Sequence, residues 1–312
     1  MPFDFDAAVI APFRMQPGLR RVAAGSAQLT PMAPGGRHQR EKLAVLFAFW
    51  PQALCAQEDF DAAPALHALC SQAAAEHPHV WTWDGERAQA LQLGAAAHAD
   101  GRIEQTSAGP FGLGDEIARC LQGVPPHWRL AALACLTFAE DFAVLDGGSG
   151  TLPWLAVTLP SHWAPEAKVG RHFAQAHGPV ADNALLLKAA DSLTRLVTGE
   201  ERWERFVWTV TDHPRLHAHP ARVAHERWQS TPVKDAWFRS EYQSFIPLPG
   251  RQQAVFTIHV DVQPLAEVLH TPARAAALHA AIASMSPAVL AYRGLNTVRE
   301  PLLHWLAEQA GV

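Results

Sequence analysis

Residues 238–262 constrain the fold of this chain more than any other stretch. Two long strand-forming runs, 238–248 and 253–262, are separated by Pro249 and Gly250, a pair that breaks a strand and sets a turn. Two such runs in tandem make a hairpin, which requires an antiparallel sheet. The second run alternates cleanly, with Phe256, Ile258, Val260 and Val262 on one side and Thr257, His259 and Asp261 on the other. In the first run Arg239, Glu241 and Gln243 share one face, and Ser240, Tyr242, Ser244 and Ile246 the other. Three hydrogen-bonding side chains in a line are either a solvated sheet face or a polar wall inside a pocket. In a pocket, Arg supplies fixed donors and Glu a proton acceptor. Periodicity leaves both open.

Upstream the pattern is helical. Residues 1–40 read as an extended segment laid over a larger body. Residues 41–54 read as a short helix and 63–76 as an Ala- and Leu-rich one. Residues 77–115 mix a strand-like V-W-T-W with loop, the run G-P-F-G-L-G-D being loop. Residues 113–121 and 128–145 read as helices, the second carrying F-A-E-D-F-A-V-L, and D-G-G-S-G is a turn. Strands are expected at 152–159 and 205–210, with a helix over 184–198 between them. Three closing helices start near Pro272, Pro287 and Thr297, with Thr271, Ser286 and Asn296 placed as N-caps. Helices first and antiparallel strands later, without βαβ alternation, give an α+β class. The expected division is a mostly helical N-terminal extension, 1–150, packed on a core, 151–312, with C-terminal helices.

Between these parts lies L-P-S-H-W-A-P-E-A-K-V-G-R-H-F-A-Q-A-H-G-P-V, residues 159–180. Pro165 suits a first helical turn, Glu166 suits its dipole, and Gly178-Pro179 is a stop, so a helix is expected over 165–177. Val169, Phe173 and His177 recur at i, i+4 and i+8 on its apolar face, while Lys168, His172 and Gln175 lie on another. A histidine closing an apolar helical face is either a hydrogen-bonded core residue or an axial haem ligand. Spacing alone does not separate the two.

Composition narrows the class. A net charge of −5 with interspersed signs offers no nucleic-acid or membrane-surface footprint. Cys55, Cys70, Cys120 and Cys135 show no C-x-x-C or zinc spacing and read as buried thiols in a reducing compartment. The acidic start, M-P-F-D-F-D, lacks the basic region of a signal peptide, and no apolar run has the length of a span. The expected location is the cytoplasm. His77, His79, His213, His217 and His219, beside Pro or Ala, read as solvated. There is no H-E-x-x-H, P-loop or dinucleotide glycine pattern.

Several segments together resemble the haem-dependent oxidative N-demethylase alpha-subunit-like family. Its W-x-P-x-x-K-x-G corresponds to Trp163, Pro165, Lys168 and Gly170, and its I-H-x-P-V to A-H-G-P-V, residues 176–180. E-D-F (140–142), R-F-V-W (205–208), R-S-E-Y-Q (239–243), A-V-F-T-I-H-V (254–260) and F-R-M-Q-P-G-L (13–19) follow in the family's order. Three positions depart: Ala176, Val207 and Tyr242, the last two on strands expected to face the substrate. The resemblance implies a PAS-like antiparallel sheet with a haem-binding helix, flanked by N- and C-terminal helices. It implies haem b, its iron held by His177, with Lys168, Phe173 and Trp208 also binding the cofactor. It implies Arg205, Glu241, Arg239 and Gln243 as the catalytic group.

The activity implied is a monooxygenase that N-demethylates a small alkylamine with O₂. Electrons would come from a separate flavin or iron–sulfur reductase subunit, since no flavin pattern or cluster-type cysteine spacing occurs here. A homo-oligomer is compatible with this scheme. The rivals are a haem-based gas or ligand sensor without turnover and a haem-free binding module.

Overall fold

The computed structural model describes residues 3–176, 181, 189–224, 226–248 and 250–311. The strands are β1 (Arg20–Arg21), β2 (Leu54–Ala56), β3 (Trp81–Trp83), β4 (Arg87–Ala90), β5 (Ala95–His98), β6 (Ile103–Gln105), β7 (Glu140–Asp146), β8 (Thr151–Ala156), β9 (Trp203–Thr211), β10 (Trp237–Pro247) and β11 (Gln253–Pro264). Seven of them form one antiparallel sheet in the order β1-β9-β10-β11-β7-β8-β2, and β3 to β6 form a small meander. The chain is α+β. The expected hairpin is β10–β11, in unbroken register from Trp237↔Pro264 to Pro247↔Ala254. The large sheet draws β1, β2 and β7 from before residue 150 and β8 to β11 from after it.

Period-two alternation gives this sheet two dissimilar faces. In β7, Phe142 and Val144 join the main core beneath the helices Arg37–Ala53, Ala63–Glu76 and Arg129–Thr137, while Ala143 and Leu145 join a separate cluster on the opposite face. The helix Arg129–Thr137 is buried from Leu130 to Thr137, as an all-round apolar helix must be. Near the other end of the sheet, Trp208, Val210 and Phe238 pack on the closing helices Pro272–Ala283, Pro287–Tyr292 and Arg299–Ala310. Thr271 and Ser286 cap two of these through their side chains; Asn296 does not cap the third, which begins after Val298.

Two elements differ from their sequence reading. The stretch F-A-E-D-F-A-V-L is not helical: the helix stops at Thr137 and Glu140–Asp146 is strand β7. Its residues pair with both β11 and β8, which satisfies their backbone groups across the sheet rather than along a helix. The helix expected over 165–177 is interrupted. A single 3₁₀ turn, Pro165–Ala167, is followed by Gly170 at φ +74°, a bridge from His172 to Thr151, and a short helix, Phe173–Ala176. The cause is pairing with β8: the Gly170 N–H donates to the Leu152 carbonyl at 2.8 Å and the Phe173 N–H to the Gly150 carbonyl at 2.7 Å. A Cβ at position 170 would sit 2.8 Å from Gln57 Nε2, in a backbone region that only glycine enters freely. His177 lies outside the described residues, as do 184–188 of the next expected helix, whose described part is Ala190–Val197.

A fully buried ion pair joins the helical layer to the sheet. Lys42 Nζ donates to Asp141 Oδ1 at 3.0 Å and to the Glu140 carbonyl at 2.6 Å, and neither Lys42 nor Asp141 has solvent exposure. Asp141 also accepts from Thr158 Oγ1 and the Leu159 N–H, both at 2.6 Å. Lys42→Ala leaves this carboxylate buried without its cation, and we expect a loss of about 3–5 kcal/mol in urea unfolding. A loss under about 1 kcal/mol would show that water reaches Asp141 in the variant.

Candidate functional site

The face of the sheet turned away from the main core carries a cavity of about 550 Å³. Its walls follow from register. Arg205 stands opposite Gln243, Val207 opposite Glu241 and Thr209 opposite Arg239, so β9 and β10 direct these six side chains to one side. β11, β7 and β8 continue the wall with Phe256, Ile258, Ala143, Leu145 and Leu155. The cavity is therefore polar at the β9–β10 end and apolar at the β7–β8 end. Arg239, Glu241 and Gln243 form a pocket wall and not a solvated face: Arg239 is 1% and Glu241 9% exposed.

Of the residues singled out in the sequence, Arg205, Glu241, Arg239, Gln243, Lys168, Phe173 and Trp208 all contribute to the cavity lining. They are not equivalent. Arg239 is committed to backbone: Nη1 donates to Arg215 O at 2.9 Å, Nη2 to Leu216 O at 2.9 Å and Pro160 O at 3.2 Å, and Nε to Ser161 Oγ at 2.8 Å. Burial lowers its pKa to about 10, which leaves it charged at neutral pH. Gln243 Nε2 donates to Glu241 Oε2 at 2.5 Å and so orients the carboxylate. The Arg205 side chain has no hydrogen bond or ion pair among the described residues, and its Nε is sealed from solvent without a partner. Burial pushes its pKa down, while Glu241 and Tyr292 pull it up. The Lys168 ammonium, its pKa lowered by burial, lies 5.9 Å from the Trp163 ring. Phe173 packs in the apolar cluster at the β7–β8 end. Trp208 alternates to the opposite face of β9, where its ring stacks on Phe238 at 5.9 Å. It meets the cavity only as part of its margin.

The two departures separate here. Val207 lines the cavity, but Tyr242 does not: its hydroxyl donates to Glu204 Oε2 at 2.7 Å on the other face. The histidines read as solvated are mostly engaged. His219 is 3% exposed with Nε2 3.1 Å from Glu166, His217 Nδ1 lies 2.7 Å from Thr158 O, and His77 Nε2 lies 2.7 Å from Leu29 O. His79 alone of the five is exposed. The four cysteines are buried and free, and burial raises all four thiol pKa values.

Sequence reasoning missed several lining residues, and three of them stand out. Tyr292 and Arg293 arrive from the helix Pro287–Tyr292, far along the chain, and carry no local signal. Arg293 is set over the rings of Phe13 and Trp208 at 4.6 and 5.1 Å, and its Nε has no partner. The third is His162, in the L-P-S-H-W turn; its φ of +62°, unusual for a side chain with a Cβ, was not legible beforehand. His162 Nε2 has no partner, and its ring lies 5.4 Å from that of His213.

A family model described as haem-dependent oxidative N-demethylase, alpha subunit-like, matches residues 66–303, which contain every cavity residue named above. The chain belongs to that family. Membership makes haem-dependent oxidative chemistry the coarse expectation for the cavity. No described helix is long and apolar enough to cross a membrane.

Burial, helped by nearby Arg227 and Arg239, lowers the pKa of His162 to about 3, and burial lowers that of His213 to about 4. In the unfolded chain both rings take up protons below about pH 6.5. The unfolded state then binds more protons, so stability is full above that pH and falls as the pH drops toward 4. Each ring contributes at most about 1.4 kcal/mol per pH unit, less where water screens it. Melting temperatures recorded from pH 7 to 4.5 should fall, and His213→Asn should flatten the fall. An unchanged slope in that variant would remove His213 as a source.

Proposed function

We propose that this chain is a haem-dependent monooxygenase that N-demethylates a small alkylamine, using O₂ and electrons from a separate reductase. The observation that carries the reading is the two-ended cavity: an oriented carboxylate and an unpartnered guanidinium at one end, an apolar wall at the other. The apolar wall and the volume, within the roughly 300–1,000 Å³ of cofactor and ligand sites, suit a porphyrin. Among the described residues no three His, Cys, Asp or Glu side chains converge on a bare-metal site. Haem would bring its own nitrogen ligands and ask a single histidine of the protein.

In this reading His177 would hold the iron of a haem bound in a PAS-like fold; in sequence it follows directly on the helix Phe173–Ala176, whose Phe173 lines the cavity. Lys168 and Phe173 make further cofactor contacts. Haem, when bound, supplies O₂ activation. The protein's part is positioning and charge. Glu241 receives the ammonium or its proton; with Oε2 held by Gln243, Oε1 is left for the substrate. Arg205 stabilises negative charge that develops beside the amine. Arg239 holds the loops at residues 160–161 and 215–216 in place and acts by positioning. In the net reaction one oxygen atom enters an N-methyl C–H bond and the other leaves as water, with two electrons and two protons supplied. The carbinolamine then breaks its C–N bond to give formaldehyde and the demethylated amine. The family's description as an alpha subunit supports a partner subunit as the electron source.

Three measurements test this. His177→Ala should fold but lose haem or change its axial-ligand spectrum; an unchanged spectrum would remove His177 as ligand. Glu241→Gln keeps size and removes charge, so amine-induced spectral shifts should weaken roughly tenfold or more at constant haem content. Equal amine affinity would make Glu241 structural. The parent should release aldehyde from dimethylamine only with a surrogate reductase present. A stable oxygen complex that consumes no amine would favour a sensor, and turnover with NADPH alone would place a redox site within this chain.

A further inference from the structure

The cations at the polar end outnumber the acids. Arg227 is neutralised by Asp212 at 2.8 Å, and Arg239 is committed to carbonyls. What remains is Arg205, and Arg293 with one Nη donating to the Trp208 carbonyl, against Glu241 alone. Both guanidinium groups keep a sealed, unpartnered Nε. Glu241 reaches both electrostatically: it pulls up the pKa of each arginine against the desolvation that lowers them. Charges removed from water are normally paired, because an unpaired one forfeits hydration without compensation. One carboxylate cannot balance two guanidinium groups, and Gln243 already takes one of its oxygens. A counter-charge is missing among the described residues.

We infer that the substrate itself brings it: the amine handled here carries a carboxylate, and the substrate class is an N-alkylated amino acid. This rests on the amine reading above. Arg205 stands opposite Gln243, so Glu241 is its diagonal neighbour on the same sheet face, about 7–8 Å away by sheet geometry. A ligand whose ammonium and carboxylate are separated by a single carbon spans that gap once both side chains lean toward it. The guanidinium has five N–H donors in a fork that matches a carboxylate. None of those on Arg205 is used within the described residues, so it can hold the carboxylate and still face the reacting centre. Arg293, fixed over Phe13 and Trp208, lends a second positive charge from the side of Tyr292. Tyr292 is half-exposed (49%) and marks where this end meets solvent, which gives a zwitterion a polar route of entry.

A carboxylate could also come from a porphyrin propionate, and the experiment separates the two sources. The haem-loaded protein and Arg205→Gln are titrated calorimetrically with N,N-dimethylglycine, dimethylamine and propionate, and haem content is measured throughout. Dimethylglycine should bind the parent roughly 10- to 100-fold more tightly than dimethylamine, the worth of a charge-assisted pair. In Arg205→Gln the ratio should collapse toward one while haem is retained. Arg205→Lys, which keeps the charge but not the fork, should retain part of the preference. This guards against reading a misfolded Gln variant as support. Equal affinities in the parent, or a preference that survives in Arg205→Gln, would overturn the inference. Loss of haem from Arg205→Gln without any preference in the parent would assign the guanidinium to the propionate and likewise overturn it. Failure to load haem or to bind dimethylamine would count against the function itself, whatever dimethylglycine does.

Discussion

The buried pair between Lys42 and Asp141 is the constraint on which the rest of this molecule depends. It fastens the helix Arg37–Ala53 to β7, and through Thr158 and the Leu159 N–H it fixes the chain as it leaves β8. From that point the backbone runs into Pro160 and Ser161, whose oxygens receive Arg239 from β10. A buried ion pair and a buried guanidinium in series therefore link the helical layer, the sheet and the turn that carries His162. Each is compensated by several short hydrogen bonds, the condition under which a buried charge is tolerated. Neither is directly available to a ligand, and together they hold still the wall against which a ligand must fit.

The sheet does two jobs because its period is two. Phe142 and Val144 are spent on the main core, while Ala143 and Leu145, their chain neighbours, floor the cavity. Along the same cavity face the chemistry changes from apolar at β7 and β8 to ionic at β9 and β10. A cofactor with a broad apolar surface and a small polar substrate can thus share one face without competing for the same side chains. The ionic end is under-compensated: the Arg205 guanidinium has no hydrogen-bond partner among the described residues, and Arg293, which donates to the Trp208 carbonyl, keeps a sealed, unpartnered Nε in a setting where each donor normally finds one.

Much of this was legible in residue order. The β10–β11 hairpin follows from two strand-forming runs and a Pro-Gly turn, and its alternation already put Arg239, Glu241 and Gln243 on one face. The caps Thr271 and Ser286 are local chemistry and were readable as such. Where the reading failed, a partner distant in sequence had intervened. F-A-E-D-F-A-V-L has the composition of a buried helix, and only its pairing with β8 and β11 makes it a strand. Residues 165–177 carry helical signals, but β8 and the glycine just before it capture the Gly170 and Phe173 N–H groups that a continuous helix would have used internally.

The amino-acid sequence by itself determined the α+β class, the antiparallel hairpin, the shared face of the polar line and the family. All of these rest on short-range periodicity and motif order. The tertiary structure alone decided which members of that polar line are free to act. Arg239 and Arg205 are the same residue type on adjacent strands, facing the same cavity. One meets carbonyls brought in from 24 and 79 residues away, and the other meets no partner among the described residues. Periodicity dictates the side of a strand on which a side chain stands. What its donors encounter there depends on loops whose positions are set by packing elsewhere, and that is why the free guanidinium, Arg293, Tyr292 and His162 emerged only from the folded chain.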